Sequence, residues 1–150
     1  MRRLIPAGAA VLLAQLSSAG CEDTGYRKIG AEITVLAKRS QDPRVDGARQ
    51  RLVAFGQAAI PQIETALHTA QERGRLHLVA ALQDIGDPEA IPILRHFAVY
   101  DGSEEVRAAC ESVLKHWSAA TDARAERARP ALARVAELRS KGEAPTPARR

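Results

Sequence analysis

A short motif, Ala-Ile-Pro, occurs twice in the middle of the chain, at positions 59–61 and 90–92, an offset of 31 residues. Each copy has its proline near a predicted helix start, where the missing N–H breaks no hydrogen bond. A glycine precedes each copy, Gly56 and Gly86, placed where a left-handed residue ends a helix. Self-similarity at a fixed period indicates a repeat architecture, in which one small helical or stranded unit is stacked several times.

The second half of the unit also recurs, because segment 75–82 matches segment 107–114 at an offset of 32. Apolar residues in both segments lie three and four positions apart, and this spacing predicts one apolar stripe along a helix. The stripes are Leu78, Ala81 and Leu82, then Cys110, Val113 and Leu114, with an earlier version at Ala48, Leu52 and Phe55. A further face holds Ile29, Ile33, Leu36 and Ala37. We predict helices over 28–40, 44–55, 58–69, 73–85, 89–99 and 103–117.

Aromatic residues make up only 3% of the chain, so its core is built from small aliphatic side chains. Such a core suits helices better than strands. One helix pair cannot bury its own apolar stripe, so successive pairs must stack on each other. The segment 121–139, with Ala131, Leu132, Val135 and Leu138 at helical spacing, is expected to cap one end, and Pro130 to start or kink it.

Two segments, 86–94 (Gly-Asp-Pro-Glu-Ala-Ile-Pro-Ile-Leu) and 104–110 (Glu-Glu-Val-Arg-Ala-Ala-Cys), resemble the short HEAT-like repeats of phycobilisome-lyase-like proteins. The resemblance covers about 42–117 and implies an all-α fold, a short right-handed α-solenoid of about three HEAT-like helix pairs plus a C-terminal capping helix. It also implies that Asp87 and Arg107 form a structural polar ladder between helices.

The same resemblance implies a protein-binding scaffold or adapter, with the second helix of each pair lining the concave side. The candidate partner-binding residues on those helices are Arg75, His77, Glu105, Arg107 and Glu111. Some relatives attach or detach bilin chromophores, which leaves a bilin-lyase-like enzyme as a minor alternative. The chain is short for that task.

The N-terminus has the order of an export signal: Met1-Arg2-Arg3, an apolar stretch over 4–16, then Ser17-Ser18-Ala19-Gly20-Cys21. The apolar stretch has 13 residues, whereas a membrane span needs about 20. The end of this segment resembles the lipobox of bacterial lipoproteins, which implies that Cys21 becomes the lipidated first residue of the mature chain. Ser18 stands where a lipobox usually has Leu, Val or Ile, so cleavage after Ala19, giving a soluble periplasmic or secreted protein, stays the alternative.

These patterns divide the chain into a signal peptide (1–20), an acylated N-terminus with a short linker (21–27), HEAT-like repeats (28–118), a capping helix (119–140) and a disordered tail (141–150). We expect an exported protein that is lipid-anchored in the bacterial envelope and faces the periplasm or the cell surface. Residues 21–118 carry 12 basic and 14 acidic side chains, whereas residues 119–150 carry 8 and 4. The folded part therefore has no electrostatic footprint for nucleic acid. The tail's arginines are expected to be solvated, with anionic lipid head groups as the alternative contact.

Four histidines have no spacing typical of a metal site and are expected to lie separately at the surface or core boundary: His68, His77, His96 and His116. Ser103 is a predicted helix N-cap, and Glu104-Glu105 complement the dipole of the helix that follows. Cys110 is expected in the core. Trp117 is expected to plug the end of the last repeat, with a partner anchor as the alternative.

No phosphate-binding loop and no nucleophile motif occur in the sequence. We therefore predict a non-enzymatic envelope lipoprotein without a cofactor, which binds a protein partner. An assembly or stability factor for a larger envelope complex is the alternative.

Overall fold

The computed structural model describes residues 19–38 and 43–142, and over these residues the chain is all-α. Seven helices follow one another: α1 (Ala19–Lys38), α2 (Arg44–Phe55), α3 (Ile60–Thr69), α4 (Glu72–Ile85), α5 (Ile91–Tyr100), α6 (Glu104–Ser118) and α7 (Ala123–Ser140). They form three pairs, α1–α2, α3–α4 and α5–α6, with α7 packed on the last pair. The predicted all-α solenoid with a C-terminal capping helix is confirmed. Most of the predicted signal peptide and of the disordered tail lies outside the described residues.

The glycines and prolines of the repeat stand at the boundaries where the sequence placed them. Gly56 and Gly86 have positive φ angles of 56° and 68°, which glycine adopts without steric cost. Short 3₁₀ turns, Gly56–Ala59 and Pro88–Ala90, then lead into α3 and α5. The two α-helices therefore begin two residues later than predicted, because a tighter turn occupies their first residues.

The apolar stripes of successive pairs meet in one continuous core. Leu52, Leu78, Leu82 and Leu114 are fully buried, and α4 packs against α1, α2, α3 and α6. The stripes predicted from the three- and four-residue spacing are thus the surfaces through which the pairs stack. Phe55 in α2 is only partly buried.

Helix α1 begins at Ala19, nine residues earlier than the predicted start at 28. The segment 21–27, which we expected to be a linker, is therefore helical. Residues 21–27 contain no proline, and the single glycine at position 25 costs a helix only about 1 kcal/mol. The stretch therefore contains no residue that would be expected to end the helix. Among the described residues, no helix has both the length and the apolarity that a bilayer crossing requires.

Helix α7 covers the open end of the α5–α6 pair with a buried stripe that includes Ala128, Val135 and Leu138. Its start is set by Asp122, whose carboxylate accepts a hydrogen bond from the Arg124 N–H at 2.9 Å. Pro130, expected to start or kink this helix, lies inside it. Trp117 at the end of α6 is 1% exposed, which confirms its predicted place in the core.

Candidate functional site

Asp101, in the loop between α5 and α6, connects two consecutive repeats through Arg75 of α4. Arg75 donates through Nη2 to Asp101 Oδ1 at 3.0 Å, and its Nε lies 2.8 Å from Oδ2 as a charge contact without hydrogen-bond alignment. A second donation, from Nη1 to the Ala70 carbonyl at 2.8 Å, fixes the guanidinium from the other side. Asp101 is only 7% exposed, so this pair is largely shielded from solvent.

A second arginine, Arg107 of α6, contacts the same loop. Arg107 is 3% exposed and donates to the carbonyl oxygen of Asp101 and to the carboxylate of Glu104. Asp101 Oδ1 also accepts from the Ser103 N–H at 2.8 Å, and Ser103 Oγ accepts from the Val106 N–H at 3.3 Å. Ser103 is therefore the N-cap that the sequence predicted, and hydrogen bonds within the protein hold the loop between α5 and α6.

The predicted ladder residues, Asp87 and Arg107, do not form one contact. Asp87 accepts from the Glu89 N–H at 2.8 Å and so caps the 3₁₀ turn before α5. Arg107 is bound by Asp101 and Glu104 instead. Both residues are structural, but Asp101 is the acid that connects repeats. One feature of the sequence could have pointed to Asp101. Arg75 and Arg107 occupy equivalent positions in the repeat, and a guanidinium shielded from solvent requires an acidic partner nearby.

The candidate partner-binding set does not form one open face. Arg107 was expected to be exposed, and this is wrong because its guanidinium closes the α5–α6 loop. Arg75 is held by Asp101, and Glu111 lies between Lys115 and Arg139 at 2.6 Å from each. His77 is half-buried, and its Nε2 has no hydrogen-bond partner among the described residues. Of this set, Glu105 is the member that is classed as exposed. Whether the set binds a partner stays a prediction.

Four rings from α3 and α5 form a cluster at the edge of the solenoid. The ring of His68 lies 6.0 Å from that of His96 and 5.0 Å from that of Phe97. His96 in turn lies 5.3 Å from Phe97 and 5.2 Å from Tyr100. The expectation that the histidines lie separately is therefore wrong for His68 and His96. Their offset of 28 residues is close to one repeat, so α3 and α5 present them side by side.

These rings line a depression of about 240 Å³ that we call the aromatic cleft. Its lining consists of Leu67, His68, Arg75, His96, Phe97, Tyr100, Asp101 and Gly102. The Arg75–Asp101 pair thus supports the cleft from beneath. Tyr100 is 45% exposed, although most large apolar side chains of the described chain are buried.

A second depression, of about 280 Å³, adjoins the cleft between α5 and α7, and we call it the arginine notch. Arg95, His96, Tyr100, Arg134 and Leu138 line it. His96 and Tyr100 therefore form a wall common to both depressions. Arg134 donates to Glu137 at 2.6 Å, and hydrogen bonds from Lys141 and Arg134 lower the pKa of Glu137 to about 2.

A family model for HEAT repeats matches residues 33–115. The chain belongs to the HEAT repeat family. The match runs from the C-terminal part of α1 into α6 and confirms the HEAT-like resemblance. HEAT repeats are generally non-catalytic scaffolds for protein–protein interaction. Searches of curated proteins and of solved structures gave no significant match.

Cys110 of this HEAT repeat protein is a free, buried thiol. Burial, with a smaller contribution from the charge of Asp101, raises its pKa to about 12. The thiol is therefore neutral at physiological pH and lacks the thiolate that a nucleophile needs. Over the described residues, no three side chains of the metal-binding types converge on one point.

Proposed function

We propose that this HEAT repeat protein is a non-enzymatic scaffold of the bacterial envelope that binds another protein through the aromatic cleft. The observation that carries the proposal is the exposure of Tyr100 beside His96, His68 and Phe97 on two consecutive repeats. Tyrosine is enriched among the residues that dominate binding energy at protein interfaces. The family supports the general role, since HEAT repeats generally serve protein interaction.

A second argument for the aromatic cleft is that hydrogen bonds within the protein hold Asp101, one of the residues that line it. Asp101 is bound by Arg75 and by the Ser103 N–H, so the loop beneath Tyr100 is ordered before any partner arrives. A preformed site loses less conformational entropy on binding than a mobile one. The arrangement therefore favours the cleft over the second-helix residues, most of which are engaged within the protein.

The proposed location rests on the N-terminal sequence. A basic start, a short apolar stretch and small residues before Cys21 support export and a lipid anchor on that cysteine. Since α1 begins at Ala19, an anchor at Cys21 would be joined to the solenoid by helix rather than by a flexible linker. The scaffold would then be held close to the membrane surface, facing the periplasm or the exterior.

Mass spectrometry of the mature N-terminus tests the anchor. A lipidated Cys21 gives a mature chain beginning at that residue with the added mass of acyl chains, and Cys21→Ser abolishes both. A chain beginning at Gly20, with unmodified cysteine, would show that the protein is not lipid-anchored.

Affinity capture from solubilised membranes tests the cleft. Tyr100→Ala is expected to lose the partner, whereas Tyr26→Ala is a matched control, because Tyr26 is 65% exposed on α1 and lies outside the cleft. Circular dichroism confirms that both variants are folded. Equal capture by both variants would show that the cleft is not the docking site. Loss of capture in Glu105→Gln would show that the partner binds the second helices of the pairs instead.

A further inference from the structure

Arg95 is an exposed cation on α5 whose side chain forms no ion pair with any described residue. It lines the arginine notch together with Arg134 of α7. The buried or half-buried arginines Arg75, Arg107 and Arg139 all have acid partners. Arg95 therefore differs from them in having a guanidinium open to an external anion.

The acid that binds Arg134 is also bound by a second cation. Glu137 is bound at once by Arg134 at 2.6 Å and by Lys141 at 2.5 Å, so one carboxylate is shared between two cations. Arg95 adds a third cation, which lines the same depression as Arg134. Like charges gathered in this way attract a negatively charged ligand.

We propose that the arginine notch binds a carboxylate side chain of an acidic segment in the partner protein, with a neighbouring aromatic side chain seated in the aromatic cleft. This inference rests on the proposed scaffold function and names the chemistry of its partner. Guanidinium groups match carboxylates through paired, charge-assisted hydrogen bonds. His96 and Tyr100 border both depressions, so adjacent residues of one bound segment reach both.

A peptide fits these features better than a lipid surface does. Recognition of anionic membranes uses clusters of about four to eight basic residues on a membrane-facing surface, whereas the notch is lined by two arginines. The notch is also concave, and its walls include Tyr100 and Leu138. A concave site with apolar walls and few charges is typical of side-chain recognition.

Fluorescence anisotropy with two labelled peptides tests the proposal on the mature, folded protein. One peptide contains three Phe-Glu-Glu triplets, and its control contains three Phe-Gln-Gln triplets. The glutamate peptide is expected to bind saturably, and Arg95→Gln to weaken it by about tenfold, the equivalent of one charge-assisted hydrogen bond. Arg73→Gln is the matched control, since Arg73 is an exposed arginine of α4 outside the notch; it should change the affinity by less than about twofold.

Three results would overturn the proposal: equal binding of the glutamine peptide, equal losses from Arg95→Gln and Arg73→Gln, or Arg95-dependent binding of phosphatidylglycerol vesicles without binding of the peptide. The scaffold function fails separately. If Tyr100→Ala abolishes partner capture while Arg95→Gln leaves peptide and partner binding unchanged, the cleft stands and the acidic ligand is wrong. If Tyr100→Ala keeps the partner while Arg95→Gln weakens the peptide, the notch stands and the cleft is wrong.

Discussion

Arg75 and Asp101 join two consecutive HEAT repeats, with 3.0 Å between Nη2 and Oδ1. The pair lies where α4 meets the loop before α6, and the carboxylate is nearly inaccessible, its side chain being 4% exposed. Removing one partner of a buried ion pair leaves the other charge without compensation. Substitution of either residue is therefore expected to destabilise the protein. The ion pair also positions the loop between α5 and α6, which borders the aromatic cleft.

Asp101→Ala is expected to lower the free energy of unfolding by about 3 kcal/mol, because Arg75 and the Ser103 N–H both lose their acceptor. Urea denaturation followed by circular dichroism measures the loss. Glu89→Ala is the control, since its ion pair with Arg127 is about half exposed and such pairs contribute about 0–1 kcal/mol. Equal losses in the two variants would mean that Asp101 does not connect the repeats energetically.

Sequence periodicity was enough to predict the solenoid, because its determinants are local. Leu78 and Leu82 lie on one helical face by spacing alone, and the glycines at 56 and 86 end helices through their own backbone conformation. The start of α1 was predicted poorly because the local signal there is weak. Residues 21–27 have no apolar periodicity, and a helix end without proline or a strong cap leaves little trace in the sequence.

The candidate site was predicted less well, because its contacts join residues far apart in the chain. Asp101 meets Arg75 across 26 positions, and no local pattern distinguishes this aspartate from an ordinary loop residue. His68 and His96 become neighbours only after α3 and α5 are stacked. Arg107 was assigned to the partner-binding set from its place on a second helix, but its guanidinium is buried because it is bound by both Asp101 and Glu104.

Gly74→Ala is expected to destabilise the crossing of α4 with α1. A Cβ at position 74 would lie 2.5 Å from the carbonyl oxygen of Ala37, and a backbone atom cannot move aside as a flexible side chain can. We expect a loss of about 2 kcal/mol or more, typical of overpacking, measured as a lower urea midpoint.

Gly25→Ala is the matched control for Gly74→Ala. Gly25 lies in α1 with no atom within 4 Å of an added Cβ, so alanine should stabilise the helix by about 0.5–1 kcal/mol. Opposite signs at the two positions are the expected result. A stabilising Gly74→Ala would show that α1 and α4 do not approach as closely as described.

Cys110 is expected to resist thiol reagents in the folded protein. Its pKa of about 12, raised by burial and then by Asp101, leaves the thiolate almost unpopulated at pH 8, and the side chain is fully buried. In a Cys21→Ser background, labelling by a chromogenic disulfide should occur only at the rate of unfolding and become rapid in urea. Fast labelling of the native protein would mean that Cys110 is accessible to solvent in the folded state.

Glu137 is expected to titrate well below an ordinary glutamate, because hydrogen bonds from Lys141 and Arg134 lower its pKa from 4.5 to about 2. A depressed pKa in the folded state stabilises the fold above the unfolded-state pKa, and this contribution is lost as the pH falls from about 4.5 through about 2. Carboxyl ¹³C chemical shifts measured against pH give the titration directly.

Lys141→Gln removes the first of the two donors and should raise the pKa of Glu137. Lys115→Gln is the control and should leave that pKa unchanged, because Lys115 contacts Glu111 instead. An ordinary pKa for Glu137 in the unmodified protein would show that Lys141 and Arg134 do not donate to its carboxylate in solution.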